Sequence, residues 1–173
     1  VSKIFNKFEF ESGAEDYQLA LRLDPGNAYV IGSNGTSARA LGRFDEAAEL
    51  FETALELDPL MAEMRSWQAL TYQYAGQMDK AEAAYRTTLI LSPDFSGAHY
   101  RLGRVLIQQG KPEEALVEME REASRVYNNT GLAMAHHVLG NHEKSQSALE
   151  RLIANDAGSA AFQIAEVYAY RNE

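Results

Sequence analysis

Gly42-Arg43-Phe44-Asp45-Glu46-Ala47-Ala48-Glu49-Leu50-Phe51-Glu52-Thr53-Ala54-Leu55-Glu56-Leu57-Asp58-Pro59 returns 34 residues later as Gly76-Gln77-Met78-Asp79-Lys80-Ala81-Glu82-Ala83-Ala84-Tyr85-Arg86-Thr87-Thr88-Leu89-Ile90-Leu91-Ser92-Pro93. The shared frame is a glycine, an acidic residue, an alanine, a large ring and a closing proline. Working outward, the glycine recurs as Gly42, Gly76, Gly110 and Gly140, and the alanine position as Ala47, Ala81, Ala115 and Ser145. The large residue recurs as Phe51, Tyr85, Met119 and Leu149, and a small residue ahead of the glycine as Gly35, Ala69, Gly103 and Ala133. Pro25, Pro59 and Pro93 close the phrases Leu23-Asp24-Pro25, Leu57-Asp58-Pro59 and Leu91-Ser92-Pro93. Five ladders with one period identify an internal repeat, the first thing a sequence must be searched for.

Each ladder has a physical task. A helix that stops and reverses needs a left-handed residue, which glycine adopts without a Cβ clash. Proline cannot continue a helix and restricts the residue before it. The small ladder marks a close approach of two helices, with Ala47, Ala81 and Ala115 opposite it, and the large ladder fills the wider gap one turn on. Asp45 and Asp79 stand where second helices start, where an acid suits the helix dipole. Pro112 stands just inside another start, where its missing N–H costs nothing. The pattern predicts helices near 10–23, 28–41, 45–57, 61–75, 79–91, 96–109, 113–123, 126–139, 142–154 and 158–171.

The 34-residue unit with Gly/Ala, Gly, Ala, aromatic and Pro in that order resembles the tetratricopeptide repeat. Residues 28–61 and 62–95 carry the resemblance best, through Gly42, Ala47, Phe51, Ala54 and Pro59, then Trp67, Ala69, Tyr72, Gly76, Ala81, Tyr85 and Pro93. Residues 96–125 form a shorter unit and 126–157 a diverged one, with partial units at 1–27 and 158–173. The resemblance implies an all-α fold, an alpha-alpha superhelix or solenoid of antiparallel helix pairs, with four full repeats and partial terminal helices in a single domain. It also implies a protein-binding scaffold whose first helices line a concave groove.

Two irregularities stand out. Four residues are missing between Met119 and Ala133, in the region Glu120-Arg121-Glu122-Ala123-Ser124. The last segment, Ala160-Ala161-Phe162-Gln163-Ile164-Ala165-Glu166-Val167-Tyr168-Ala169-Tyr170, presents an apolar face with no second helix to cover it. Solenoids carry polar caps at their ends, so the expectation is that the chain is part of a longer protein. A finer resemblance points the same way. Ala115-Leu116-Val117-Glu118-Met119-Glu120-Arg121-Glu122, the last segment and Phe8-Glu9-Phe10-Glu11 look like the C-terminal repeat regions of bacterial transcription regulators and nucleotide cyclases. That resemblance implies a regulatory or self-assembly region of a larger bacterial signalling protein, with contacts through the terminal helices.

Composition narrows the function. The net charge is −9 over 173 residues, which disfavours direct nucleic-acid binding and an anionic membrane surface. No apolar run is long enough to span a bilayer. Cysteine is absent, which removes disulfides, thiolate metal sites and thiol catalysis and favours a reducing compartment, the cytoplasm. Gly32-Ser33-Asn34-Gly35-Thr36 lacks the lysine and the preceding strand of a phosphate loop. His99, His136, His137 and His142 have no carboxylate at ligand spacing. Asn34-Gly35-Thr36 and Asn128-Asn129-Thr130 fall inside expected helices rather than on glycosylated loops. No catalytic, cofactor or metal residues are assigned, and no enzyme activity is expected.

Charge partition gives the candidate site. The expected first helices hold Arg39, Arg65, Arg101 and Arg104 against Glu63 alone, while the acids gather on second helices. Helical spacing puts Tyr29, Ser33 and Thr36 on one face, then Trp67, Leu70 and Tyr74, then Tyr100, Arg101 and Arg104. The resemblance implies that this face, with Arg39, is the partner-binding groove, and Trp, Tyr and Arg are the residue types that dominate interface hot spots. Packing of Trp67 and Tyr100 between repeats is the alternative. The groove lacks the Lys/Asn cluster with which some tetratricopeptide domains hold a C-terminal carboxylate. The expected partner is a protein or peptide segment, acidic and with apolar anchors.

Overall fold

Four of the helix endings close in one way. At Gly42 the φ angle is +77°, the Gly42 N–H donates to the Arg39 carbonyl, and the Arg43 N–H donates to the Ala38 carbonyl. The same pair of bonds recurs around Gly76, Gly110 and Gly140, with φ of +74°, +77° and +72°. This is the glycine-closed helix terminus in which a left-handed residue lets the chain turn back and satisfy the last carbonyls. The ladder of glycines is therefore a ladder of reversals, and it sets the helix-pair architecture.

The computed structural model describes residues 17 and 19–172. Among them it contains helices and no strand. After a helical stretch at 19–23, the helices are α1 (Ala28–Ala40), α2 (Phe44–Leu57), α3 (Ala62–Tyr74), α4 (Met78–Leu91), α5 (Ala98–Gln108), α6 (Pro112–Glu120), α7 (Arg125–Val138), α8 (His142–Asp156) and α9 (Ala161–Arg171). The fold is an all-α solenoid of helix pairs, as the ladders predict. Most of the helix expected at 10–23, and the Phe8-Glu9-Phe10-Glu11 phrase, lie outside the described residues. The chain divides into two compact units, with the division between Thr87 and Thr88.

In the first unit α1 packs on α2, and α2 on α3. Asn27 caps α1, its Oδ1 accepting the Val30 N–H at 3.1 Å. Asp45 and Glu46 occupy the first turn of α2, the end where the helix dipole favours acids. The core gathers Ala38, Ala47, Phe51, Leu55 and Met64, with Leu50, Met61 and Trp67 against it. A Cβ on Gly35 would lie 3.2 Å from the Phe51 ring and 3.3 Å from the Ala47 carbonyl. The small ladder thus faces the alanine and large ladders, as expected. Gly32-Ser33-Asn34-Gly35-Thr36 is interior to α1, so it is packing surface and not a loop.

In the second unit α5, α7 and α9 lie side by side in that order, and α6 and α8 pack behind them. Met119, Ala133, Ala148, Leu149, Leu152 and Val167 form the centre of its core. Pro112 opens α6 at its first position, as expected. Two boundaries differ from the sequence reading by three residues. The helix expected at 113–123 stops at Glu120, and the one expected at 158–171 starts at Ala161.

The first difference explains the four missing residues. With the end of a second helix deleted, Glu122 takes over a structural role. It is buried, and its carboxylate accepts the N–H groups of Gly97 at 3.1 Å, Tyr100 at 3.3 Å and Ser124 at 3.0 Å. Two of those donors belong to the start of α5, where N–H groups lack helical partners and an anion is favoured. Asn128 donates to the Met119 carbonyl at 2.9 Å, so the shortened α6 also has its end satisfied. Side chains do here what an extra helical turn does elsewhere.

Candidate functional site

The side-by-side row of α5, α7 and α9 brings long side chains from its two outer helices over the middle one. Tyr100 and Arg104 stand one turn apart on α5, and Glu166 stands on α9. The Tyr100 hydroxyl donates to Glu166 Oε2 at 2.7 Å. Arg104 Nη1 lies 2.9 Å from Glu166 Oε1. The Tyr100 hydroxyl also lies 4.0 Å from the Met134 sulfur on α7, so α7 is the floor under this bridge. Beside it is a cavity of about 350 Å³ lined by Arg104, Ile107, Gln108, Met134 and Tyr170.

The electrostatics suit a carboxylate. Burial raises the Tyr100 hydroxyl far above the ordinary phenol value, against the opposing effect of Arg104, and the neighbouring Glu166 charge adds to the rise. Tyr100 is thus a fixed neutral donor. Arg104 supplies the charge, and its guanidinium also stands 5.7 Å over the Tyr100 ring. Charge-assisted bonds of this kind are about twice as strong as neutral ones. Tyr127 stacks on Tyr100, the two rings 5.3 Å apart, and Arg101 stands 5.5 Å over Tyr127. Arg101 also donates to the Ser96 carbonyl at 3.3 Å.

The structure corrects part of the expected groove. Tyr100 is buried, at 3 % exposure, and belongs to the core of the second unit, with Tyr127 stacked on its ring and its hydroxyl bonded to Glu166. Arg104 is not an open cation but is paired with Glu166. Trp67 is half-buried, its ring 6.4 Å from that of Phe51, so it packs against the first unit's core. Arg39 reaches back to donate to the Trp67 carbonyl at 3.2 Å. Ser33 and Leu70 are half-buried, while Tyr29 and Tyr74 are exposed, Tyr74 with its ring 6.2 Å from Phe44. In the first unit the expected groove set therefore leaves two open tyrosines and no open guanidinium at Arg39.

Sequence reading missed Glu166, Met134 and Tyr170. The Tyr100–Glu166 contact spans 66 residues, a distance no ladder marks, and α9 has no preceding glycine reversal to set its register. The first helix read as uncharged at 126–139 also starts one residue earlier. Arg125 opens α7 and makes two bonds to Asp156, at 3.0 and 2.6 Å. The Arg125 guanidinium holds the Asp156 carboxyl below its ordinary range.

Elsewhere, a cavity of about 420 Å³ in the first unit is lined by Glu52, Glu56, Arg65, Tyr72 and Lys80 among others. Its two acids and two bases give it no preferred ligand charge. His137 packs edge-on to His142 and Tyr170. Among the described residues no group of three or more His, Asp or Glu could hold a metal ion. No helix among them is long and apolar enough to cross a membrane.

The family model described as tetratricopeptide repeat matches residues 33–72 and 68–126, and a second of the same description matches 130–151. Together these cover more than half of the chain. The chain belongs to the tetratricopeptide repeat family. Solved structures agree on the fold. A MamA crystal structure shares 18 % identity over 92 % of this chain and 95 % of its own, with a TM-score of 0.75. A tetratricopeptide repeat protein from Parabacteroides merdae shares 24 % identity over 99 % of this chain and 70 % of its own, also with a TM-score of 0.75. YrrB, described as a tetratricopeptide repeat protein with an unusual peptide-binding site, shares 18 % identity over 90 % of this chain and 84 % of its own, with a TM-score of 0.67. No curated protein matches the chain by sequence.

Proposed function

We propose that this tetratricopeptide repeat chain is a protein-interaction scaffold that takes an acidic, aromatic- or aliphatic-anchored segment on the α5–α7–α9 face. The observation that carries the reading is the convergence of Tyr100 and Arg104 on a carboxylate beside a cavity with an apolar floor. A cation at the rim selects and orients an acid, and Met134, Ile107 and Tyr170 offer desolvated area to an anchor. YrrB, of the same fold, is described by its peptide-binding site, which agrees with a peptide ligand. The test is fluorescence anisotropy with a labelled Glu-Glu-Phe-Glu-Glu peptide and its lysine counterpart. The acidic peptide binds more tightly, binding falls as salt rises, and Tyr170→Ala speeds dissociation. Equal binding of the two peptides refutes the reading.

A second reading has its own observation. Phe162 is 75 % exposed and Tyr168 38 % exposed on α9, which supports self-association through the terminal helix, as in a regulatory or assembly region of a larger bacterial signalling protein. Sedimentation velocity checks it: Phe162→Glu shifts a dimer to monomer, and a monomeric parent protein refutes it.

A further inference from the structure

We infer that Glu166 is an internal stand-in for the partner's carboxylate, so that the Tyr100–Arg104 site is a carboxylate-binding site held closed by the chain itself. The inference rests on the proposed peptide-binding reading and specifies its regulation.

Three observations carry it. First, the bridge is a contact of side chains alone. α5 and α9 do not pack on one another, since α7 lies between them, and Tyr100 and Arg104 reach across to Glu166 with their side chains. Second, α9 is docked by other means. Val167 is fully buried, and the Arg171 guanidinium donates to Ser145 Oγ at 2.6 Å and to Gln146 Oε1 at 3.1 Å. Rotation of the Glu166 side chain away from α5 leaves all of these contacts in place. Third, both donors that Glu166 holds meet the needs of an incoming acid. Tyr100 is a neutral hydroxyl and Arg104 a permanent cation, and the cavity beside Arg104 has room for the rest of a segment.

The consequence is competition. A partner's aspartate or glutamate exchanges for Glu166 on the same two donors, so each bond lost to Glu166 is matched by one gained from the partner. The apparent affinity is then the intrinsic affinity multiplied by the fraction of molecules in which Glu166 has swung away. Specificity follows as well: a segment without an acid at this point has to displace Glu166 and leave Arg104 and Tyr100 without a carboxylate, which is costly for groups that are partly buried.

The experiment uses the whole 173-residue chain and the same Glu-Glu-Phe-Glu-Glu probe. Glu166→Gln removes the competing charge and keeps the shape. It is expected to bind the probe about tenfold more tightly than the parent protein, the change that a roughly tenfold larger open fraction produces. Arg104→Ala added to Glu166→Gln abolishes the gain. Glu166→Asp, too short by one methylene to span the gap, also tightens binding, and it serves if the glutamine variant loses helix by circular dichroism. A parent protein that binds the acidic probe over its lysine counterpart, with both Glu166 variants binding no tighter, overturns this inference and leaves the peptide-binding reading standing. Failure of the parent protein to prefer the acidic probe over its lysine counterpart overturns both.

Discussion

Met119 is a point at which the packing argument can be tested to destruction. It is fully buried, and glycines press on it from two helices. A Cβ built on Gly103 of α5 would lie 2.7 Å from both Met119 Cε and Cγ, and 3.2 Å from the Ala115 carbonyl. A Cβ on Gly131 of α7 would lie 2.7, 3.0 and 3.1 Å from Met119 Cγ, Sδ and Cβ. Glycine to alanine inside a helix ordinarily gains about 1 kcal/mol, while forcing a methyl group into a packed core costs about 1–3 kcal/mol. At Gly103 the mobile methyl end of Met119 can give way, but Met119 Cγ at 2.7 Å and the Ala115 carbonyl at 3.2 Å cannot do so as easily, so Gly103→Ala destabilises. At Gly131 the contacts run down to Met119 Cβ, which cannot move without its backbone, so overpacking wins and Gly131→Ala destabilises by about 1–2 kcal/mol. Met119→Ala alone costs about 2–5 kcal/mol as a cavity. In that background the Gly131 methyl has room, and the same substitution becomes stabilising by about 1 kcal/mol. Urea unfolding of the parent, both single variants and the double variant, followed by far-UV circular dichroism, closes the cycle. The coupling expected is about 2–3 kcal/mol; additivity within about 0.5 kcal/mol refutes the pinning of Met119.

Other outcomes follow from the same structure. Glu122→Ala leaves N–H groups of α5 without an acceptor and lowers stability by about 1–3 kcal/mol in urea titrations, whereas Glu113→Ala, on an exposed turn of α6, changes it little. The Asp156 carboxyl is held below its ordinary 3.8 by hydrogen bonding to Arg125. Its contribution to stability is therefore complete above that value and is lost as pH falls through the lower folded-state value, so the parent loses stability in acid and Asp156→Asn flattens that limb of a stability–pH profile. Ala81→Leu overpacks a fully buried site and costs about 1–3 kcal/mol or more in a thermal melt. Its neighbour Glu82 is only 18 % exposed and is paired with Arg86 at 2.9 Å, so the control is Ala83, on the exposed side, where substitution changes stability little.

The contrast between Gly103 and Glu166 shows what the sequence could carry. Gly103, Ala115 and Met119 recur in register with Gly35, Ala47 and Phe51, because each repeat has to solve the same local problem: reverse the chain, bring two helices close and fill the gap behind them. A periodic problem leaves a periodic trace, and the core and the reversals were legible for that reason. The missing four residues were legible too, but not their remedy. Glu122 looked like one more acid on a solvated helix, and only the shortened α6 turns its carboxylate onto the start of α5. The bridge at Glu166 belongs to no repeat at all. It joins residues two helix pairs apart, and depends on how α5, α7 and α9 set their side chains over one floor. Reading charges helix by helix found Arg104 and gave it to a partner, because no local pattern says that an acid 62 residues on reaches the same spot. The same physics that made Arg104 attractive to an outside carboxylate applies to an inside one. A basic residue on the binding face of a repeat array is therefore evidence of an acid nearby, and geometry alone decides whether that acid belongs to the partner, to the chain, or to each in turn.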